Sequence, residues 1–403
     1  MTTLSKAESA TIEAARNAPM LEQVERWAAI NSGTRNLEGL KQVAGLLADA
    51  FAPLPGELSL IDPDPVESVA PDGSVNTIAH GQHVHLRVRP DAPVQMLFTG
   101  HMDTVFPVDH SFQALTWLEP GVLNGPGVAD MKGGIAVMLA ALRAVETSPN
   151  APRIGYEVIL NSDEETGSAA SAALIARAAQ GKIAALTYEP AALPDGTLAG
   201  ARAGSGNFSA IVTGRSAHAG RNPEEGRNAL VAAADLALRL KRAVAPGLAV
   251  NPARIDGGGP NNVVPDHAIL RVNFRPATPE DEVKAQALLD RLVAEVAAEH
   301  DVRIHLHGGF GRPPKPFDAK AERLFGLVKQ AGADLGLDIG WKATGGVCDG
   351  NNIAACGVPV VDTMGVRGGA IHSADEYLIV DSLPERAALS ALTIMRIAER
   401  GSI

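Results

Sequence analysis

Four short apolar runs rich in β-branched residues recur along this 403-residue chain: VQMLF at 94–98, GYEVILN at 155–161, IAALTY at 183–188 and VPVVDTM at 358–364. Runs of this length without polar alternation read as strands buried on both faces. Helical patterns lie between them, such as LEGLKQVAGLLADAF at 39–53 and IAVMLAALRAVE at 135–146. Alternation of this kind predicts an α/β fold, with a mixed, mostly parallel sheet flanked by helices. Ligands of such sheets gather beyond the carboxyl ends of the strands.

Chemistry-bearing residues fall at those ends. His101 and Asp103 follow VQMLF in GHMDTVFP, Glu164 and Glu165 follow GYEVILN in NSDEETGS, and Glu189 closes IAALTY in TYEPA. Asp130 in GPGVADMKGG and His372 in AIHSADEYL complete the set. Carboxylate oxygens with neutral imidazoles suit a divalent ion such as zinc. The set exceeds the needs of one tetrahedral site. Two metals sharing a bridging carboxylate would use it, with one carboxylate left to move protons. Each residue alone has a plainer reading. A histidine after a strand is usually structural, a Glu-Glu pair is usually solvated, and Asp130 is placed to cap the following helix. Delivery from three strands to one edge makes coincidence a poor account.

Residues 203–312 break the rhythm. FSAIVTG, GRNALVAAADLALRLKRAV, AVNPARI, AILRVNFR, PEDEVKAQALLDRLVAEVAAEH and VRIHLHG give a β-α-β-β-α-β order, that of a ferredoxin-like split unit. The expected division is a metal-binding catalytic domain over 1–202, an insert over 203–312, and the rest of the catalytic domain over 313–403. A free sheet edge or helix face on the insert would serve self-association.

Composition bounds the partners. A formal charge of −11 argues against nucleic acid and anionic membranes. Gly134 to Ala144, the most apolar helical stretch, is too short to span a bilayer, and MTTLSKAESATIEAARN carries no apolar run. Two cysteines, Cys348 and Cys356, fit a reducing compartment, so a cytoplasmic location is expected.

The motifs GHMDTVFP, GPGVADMKGG, DEETGS, GRSAHAG and HSADEYL, in this order, resemble the M20 family of metallopeptidases and amidohydrolases, and within it the glutamate carboxypeptidases. The resemblance implies two zinc ions per subunit, with cobalt or manganese as substitutes, bridged by Asp130. It assigns His101 and Glu189 to one ion and Glu165 and His372 to the other. Glu164 would be the general base acting on a metal-bridging hydroxide, with Asp103 orienting His101. His218 in GRSAHAG would reach across a homodimer, built through the insert, and help hold the oxyanion. Asn262, Arg312 and Arg275 match positions that recognise a substrate carboxylate, and an Arg fork suits that task. Arg202 is a further basic candidate beside the hinge. Two departures stand out: Gly125-Pro126-Gly127 replaces a familiar Gly-Arg-Gly, and the loop Gly345 to Gly350 carries Cys348. The expected activity is dizinc cleavage of an amide bond that releases a C-terminal amino acid, Glu or Asp, from a small acidic peptide or N-acyl amino acid. Alternatives are a deacylase of the acetylornithine or succinyl-diaminopimelate type, a tripeptidase, and a metal-free binding protein on the same scaffold.

Overall fold

The computed structural model describes residues 4–403, so the first three residues of the expected 1–202 segment lie outside the described residues. Its central sheet runs in the spatial order Glu57–Ile61, His83–Val88, Ile154–Asn161, Val94–His101, Ala184–Thr187, Val360–Val361. The last three junctions are parallel and the first two antiparallel. The mixed sheet is therefore mostly parallel, as the strand–helix alternation predicts. Its antiparallel edge comes from half-exposed segments with no continuous apolar run. VPVVDTM contributes only Val360–Val361 to the ladder, because Pro359 has no N–H to donate and the Asp362 carboxylate turns to Arg202 and Lys315.

Side-chain alternation builds two cores. Met96, Phe98, Val158, Leu160, Ala184 and Leu186 pack on one face, with helices including Gly133–Glu146 and Ser382–Arg400. Leu97, Ile159 and Ala185 pack on the other, with the helices Ala172–Ala179 and Asp349–Ala355. The Gly133–Glu146 helix is apolar nearly all round and sits hard against the sheet. A Cβ on Gly134 would fall 1.9 Å from the carbonyl oxygen of Tyr188.

The insert folds on its own core. Ser205–Thr213, Leu248–Gly257, His267–Pro276 and Arg303–Arg312 form an antiparallel sheet, and the helices Ala229–Arg242 and Pro279–His300 cover one face. Phe208, Ala210, Val212, Leu236, Leu270 and Leu289 fill the space between. Where the insert joins, Arg202 and Lys315 exchange backbone hydrogen bonds of 2.9 and 3.0 Å, so the two linkers run side by side. A hairpin of the catalytic domain, Val66–Ile78, touches the open face of the insert sheet, where Arg271 Nη2 donates to the Val69 carbonyl at 2.8 Å. Among the described residues, no helix is long and apolar enough to cross a membrane.

Helix-to-sheet contact at Gly134 is directly testable. Gly134→Ala should lower stability by roughly 1–3 kcal/mol, read as a fall in the urea midpoint. Gly326→Ala, on the exposed side of the helix Ala319–Asp334 with nothing within 4 Å, should hold or raise it.

Candidate metal centre

The strand Val94–His101 ends on His101, whose register partner is Asn161 at the end of the neighbouring strand. Glu164 and Glu165 follow Asn161 on a tight turn, and Glu189 lies two residues beyond Thr187. These strand ends therefore face one cavity of 460 Å³, lined by Asp130, Glu164, Glu165, Glu189 and His372 among others. Asp130 arrives on the turn Val128–Lys132, where the backbone leaves helical geometry at Asp130 (φ −114°, ψ 87°) and the Asp130–Met131 peptide is cis. The helix that follows has no side-chain cap, so the capping role open to Asp130 from sequence is not taken. Its carboxylate faces inward instead.

The two Asp130 oxygens divide between the two imidazoles. His101 Nε2 lies 3.1 Å from Oδ1, and His372 Nε2 lies 3.2 Å from Oδ2. Glu189 Oε1 joins the first pair at 3.7 Å from His101 Nε2, and Glu165 Oε2 joins the second at 3.2 Å from His372 Nε2. Ligands ~2.1 Å from a shared tetrahedral ion sit roughly 3.3 Å from one another. The groups His101–Asp130–Glu165 and His101–Glu164–Glu189 each bring ligand atoms within 4.8 Å of one another and could hold a metal ion. His101 is further oriented through Nδ1, which faces the Asp103 carbonyl at 3.0 Å and the Asp103 carboxylate at 3.4 Å. A proton on Nδ1 leaves the Nε2 lone pair toward the carboxylates. The Asp103 carboxylate does more than steady His101. It accepts from the backbone N–H of Glu164 and of Glu165, each at 3.2 Å, and from the Thr34 hydroxyl at 2.7 Å. His372 sits in the left-handed region at φ 63°, a conformation that costs a non-glycine residue energy and concentrates at functional sites.

Electrostatics follow from packing carboxylates out of water. Burial pushes Glu164 up to about 7, with Arg312 opposing and Glu189 adding to the rise. Burial and the charge of Asp130 push Glu165 up to about 8. For His101, burial opposes the charged form, but Glu189, Asp103 and Asp130 outweigh it and raise the ring well above its usual value. Hydrogen bonds to Asp130 and Glu165 raise His372 to about 11.

Arg312, the last residue of the insert sheet, is buried against this centre. Its Nη2 lies 2.7 Å from Glu164 Oε1 and donates to the Glu164 carbonyl and the Ser168 hydroxyl, both at 2.9 Å. Its Nη1 makes no hydrogen bond and lies 3.5 Å from Asp349 Oδ1. Arg275 stands outside the cavity wall, bonded to Asn273 and close enough for Arg312 to lower its pKa after burial. His218 and Asn262 are not brought to the metal ligands. Both are exposed on the insert, where Ala219 N donates to the Asn262 carbonyl at 2.9 Å. Arg202 reaches the cavity wall, yet its guanidinium is held by Asp362 at 2.7 and 3.2 Å. Cys348 is a buried wall residue whose thiol burial holds protonated. Sequence reasoning missed Glu376, whose carboxylate accepts from the backbone N–H groups of Gly127, Ala129 and Asp130. Its signal was its place in HSADEYL, four residues past His372. It also missed Asp349 and Asp362, which lie far from the ligands in sequence.

Known proteins resemble this chain in sequence and fold. The model of peptidase family M20/M25/M40 matches residues 97–396. The chain is 31% identical over 325 residues to carboxypeptidase G2 of Pseudomonas sp. (strain RS-16), covering 78% of this chain and 77% of that protein. It is 29% identical over 339 residues to a succinyl-diaminopimelate desuccinylase of Psychrobacter arcticus, covering 77% and 81%. A tripeptidase structure from Staphylococcus aureus superposes with a TM-score of 0.71 at 22% identity, covering 94% of this chain and 98% of that one.

The raised imidazoles give the site a measurable proton inventory. His372 is charged in the metal-free protein near neutrality, so a divalent ion must displace its proton. Zinc uptake at pH 7–8 should release at least about one proton per chain, read by calorimetry in buffers of different ionisation enthalpy. Loading should weaken as pH falls. Without metal, the His372 contribution to stability is complete below its ordinary 6.5 and fades as pH rises toward about 11.

Proposed function

The chain belongs to peptidase family M20/M25/M40, and from that membership we propose a dizinc hydrolase that releases a C-terminal amino acid, Glu or Asp, from small acidic peptides or N-acyl amino acids. The observation that carries the reading is the division of Asp130 between two imidazoles, each with its own further carboxylate. His101 and Glu189 would hold one ion, Glu165 and His372 the other, and Asp130 both. Such a pair supplies Lewis acidity toward the scissile carbonyl and acidifies a water.

The remaining steps belong to the chain's own residues. Glu164 is the buried carboxylate left outside both ligand sets. Burial raises it to about 7, so it can accept a proton from the attacking water and return it to the leaving amine. Arg312 fixes its carboxylate at 2.7 Å, and Asp103 fixes the turn that carries it. We assign the substrate carboxylate to Asn262, Arg275 and Arg312, whose guanidinium fork suits that task. The exposure of His218 and Asn262, away from the ligands of their own chain, supports a homodimer in which His218 serves the partner's site and stabilises the developing oxyanion. The kinship with a desuccinylase supports a second reading, removal of a carboxylated acyl group from a diamino acid. Both reactions use the same metals and base, and the released product separates them.

Four measurements test the reading. Zinc analysis of the purified protein should give about two ions per chain, and no uptake with no hydrolysis would leave a metal-free binding protein. Amino-acid release from peptides and N-acyl substrates with Glu, Asp or neutral C-termini should favour the acidic ones. A preference for succinylated diamino acids would select the second reading. Glu164→Ala should keep its zinc and lose turnover by about 100-fold or more. Mixing Glu164→Ala with His218→Ala under proven subunit exchange should restore part of the activity, and no recovery would exclude delivery across a dimer.

A further inference from the structure

We propose that Glu376 is a positioning residue for the metal centre, a single buried carboxylate that locks the Asp130 turn to the His372 loop in ligating order before any ion arrives; this rests on the metallohydrolase reading. Glu376 is 1% exposed. Its Oε1 accepts from Ala129 N and Asp130 N, both at 3.0 Å, and its Oε2 accepts from Gly127 N at 3.1 Å. Its backbone carbonyl accepts from Asn124 Nδ2 at 2.7 Å and from Gly125 N at 3.3 Å. One residue therefore takes five donors from the segment 124–130.

The need for such a residue is physical. The Asp130 turn exposes consecutive N–H groups that no helix satisfies, and a buried unpaired donor costs about 1–3 kcal/mol. Asp130 cannot cap its own turn, because both its oxygens face imidazoles. Glu376 supplies the missing acceptors. It also belongs to the other arm of the site. The loop between His372 and Glu376 is closed by Glu376 N donating to Ser373 O at 3.2 Å and by the Ser373 hydroxyl donating to Ala370 O at 2.7 Å. Ala370 and His372 hold left-handed backbone at φ 52° and 63°. Anchoring the end of this strained loop on the Asp130 turn sets the distance between the His372 ring and Asp130 Oδ2. Glu376 touches neither substrate nor ion, so its effect should fall on metal retention. A glutamine at this position has one acceptor oxygen and turns an NH₂ toward N–H donors, so it fills the space without serving the turn.

Two arms test this. Hydrogen exchange on the unsubstituted, chelator-treated protein should show the amides of Gly127, Ala129 and Asp130 protected without metal, and Glu376→Gln should lose that protection. Exchange of these amides at exposed-loop rates in the metal-free unsubstituted protein, with protection only after zinc is added, would overturn the proposal, whatever the folding of the variant. In the second arm, zinc release to a chelator should be about 10–100-fold faster from Glu376→Gln, with kcat lowered and KM changed by less than about twofold. Leu378→Ala, in the neighbouring core, should lower the melting temperature and leave release unchanged. Release from Glu376→Gln at the unsubstituted rate would overturn this proposal alone. Failure of the unsubstituted protein to take up zinc would overturn the functional reading instead.

Discussion

Four carboxylates and His372 line one cavity with the buried His101 behind them, and three of those carboxylates, Asp130, Glu164 and Glu189, are at most 9% exposed. Anions taken out of water repel one another, and their charged forms are disfavoured unless cations stand among them. Metal-free, the protein answers with protonated imidazoles that hold Asp130 below its usual range and with raised pKa values at Glu164, Glu165 and Glu189. Two divalent ions would answer more completely. The surrounding structure is organised around that uncompensated charge. Asp103 and Glu376 present acceptors to the backbone of the ligand-bearing turns, Arg312 offsets Glu164, and loops that carry ligands take conformations a lone loop would avoid.

Placement of the ligands follows from strand geometry. Parallel strands end together, so the residues after 101, 161 and 187 emerge at one edge regardless of their separation in sequence. That part was legible, because each apolar run is short, β-branched and followed at once by a ligand-type residue. The β-α-β-β-α-β order of the insert was legible for the same reason, its helices carrying Asn228 and Thr278 as caps. The antiparallel edge strands were not, since Glu57–Ile61 alternates weakly and faces solvent at one side. VPVVDTM read as a full strand because its apolarity is real, yet proline and a buried aspartate leave it two ladder residues.

The site divides along a similar line. Residues that short motifs assign to metal binding could be named, whereas residues that act on other residues could not. Asp349 meets Arg312 and Ser168 from a helix start nearly two hundred positions beyond Glu164. Asp362 holds Arg202 and Lys315 through one oxygen, at 2.7 and 2.9 Å. Such partnerships need tertiary contact and leave no spacing in the sequence. They also reassign Arg202. A guanidinium pinned by a fully buried carboxylate, on a linker laddered to the other linker, is part of the hinge before it is part of the pocket.

That hinge makes the insert more than a lid. Arg202 and Lys315 come from the two linkers, and one Asp362 oxygen binds both, so the linkers are tied to each other and to the edge of the central sheet. Arg312 lies three residues before Lys315, and its guanidinium sits on Glu164 and its carbonyl. Contact of Arg312 with the buried carboxylate thus ties the insert to the Glu164 turn, whereas the Asp130 turn is anchored separately by Glu376. Contact between Arg271 and the Val66–Ile78 hairpin is a second tie between the insert sheet and the rest of the chain. The ligand set is thus held by the catalytic domain alone, while the setting of Glu164 is shared with the insert. The electrostatic setting of Glu164 therefore draws on both units, with burial, Glu189, His101 and Asp103 on the side of the central sheet and Arg312 on the side of the insert.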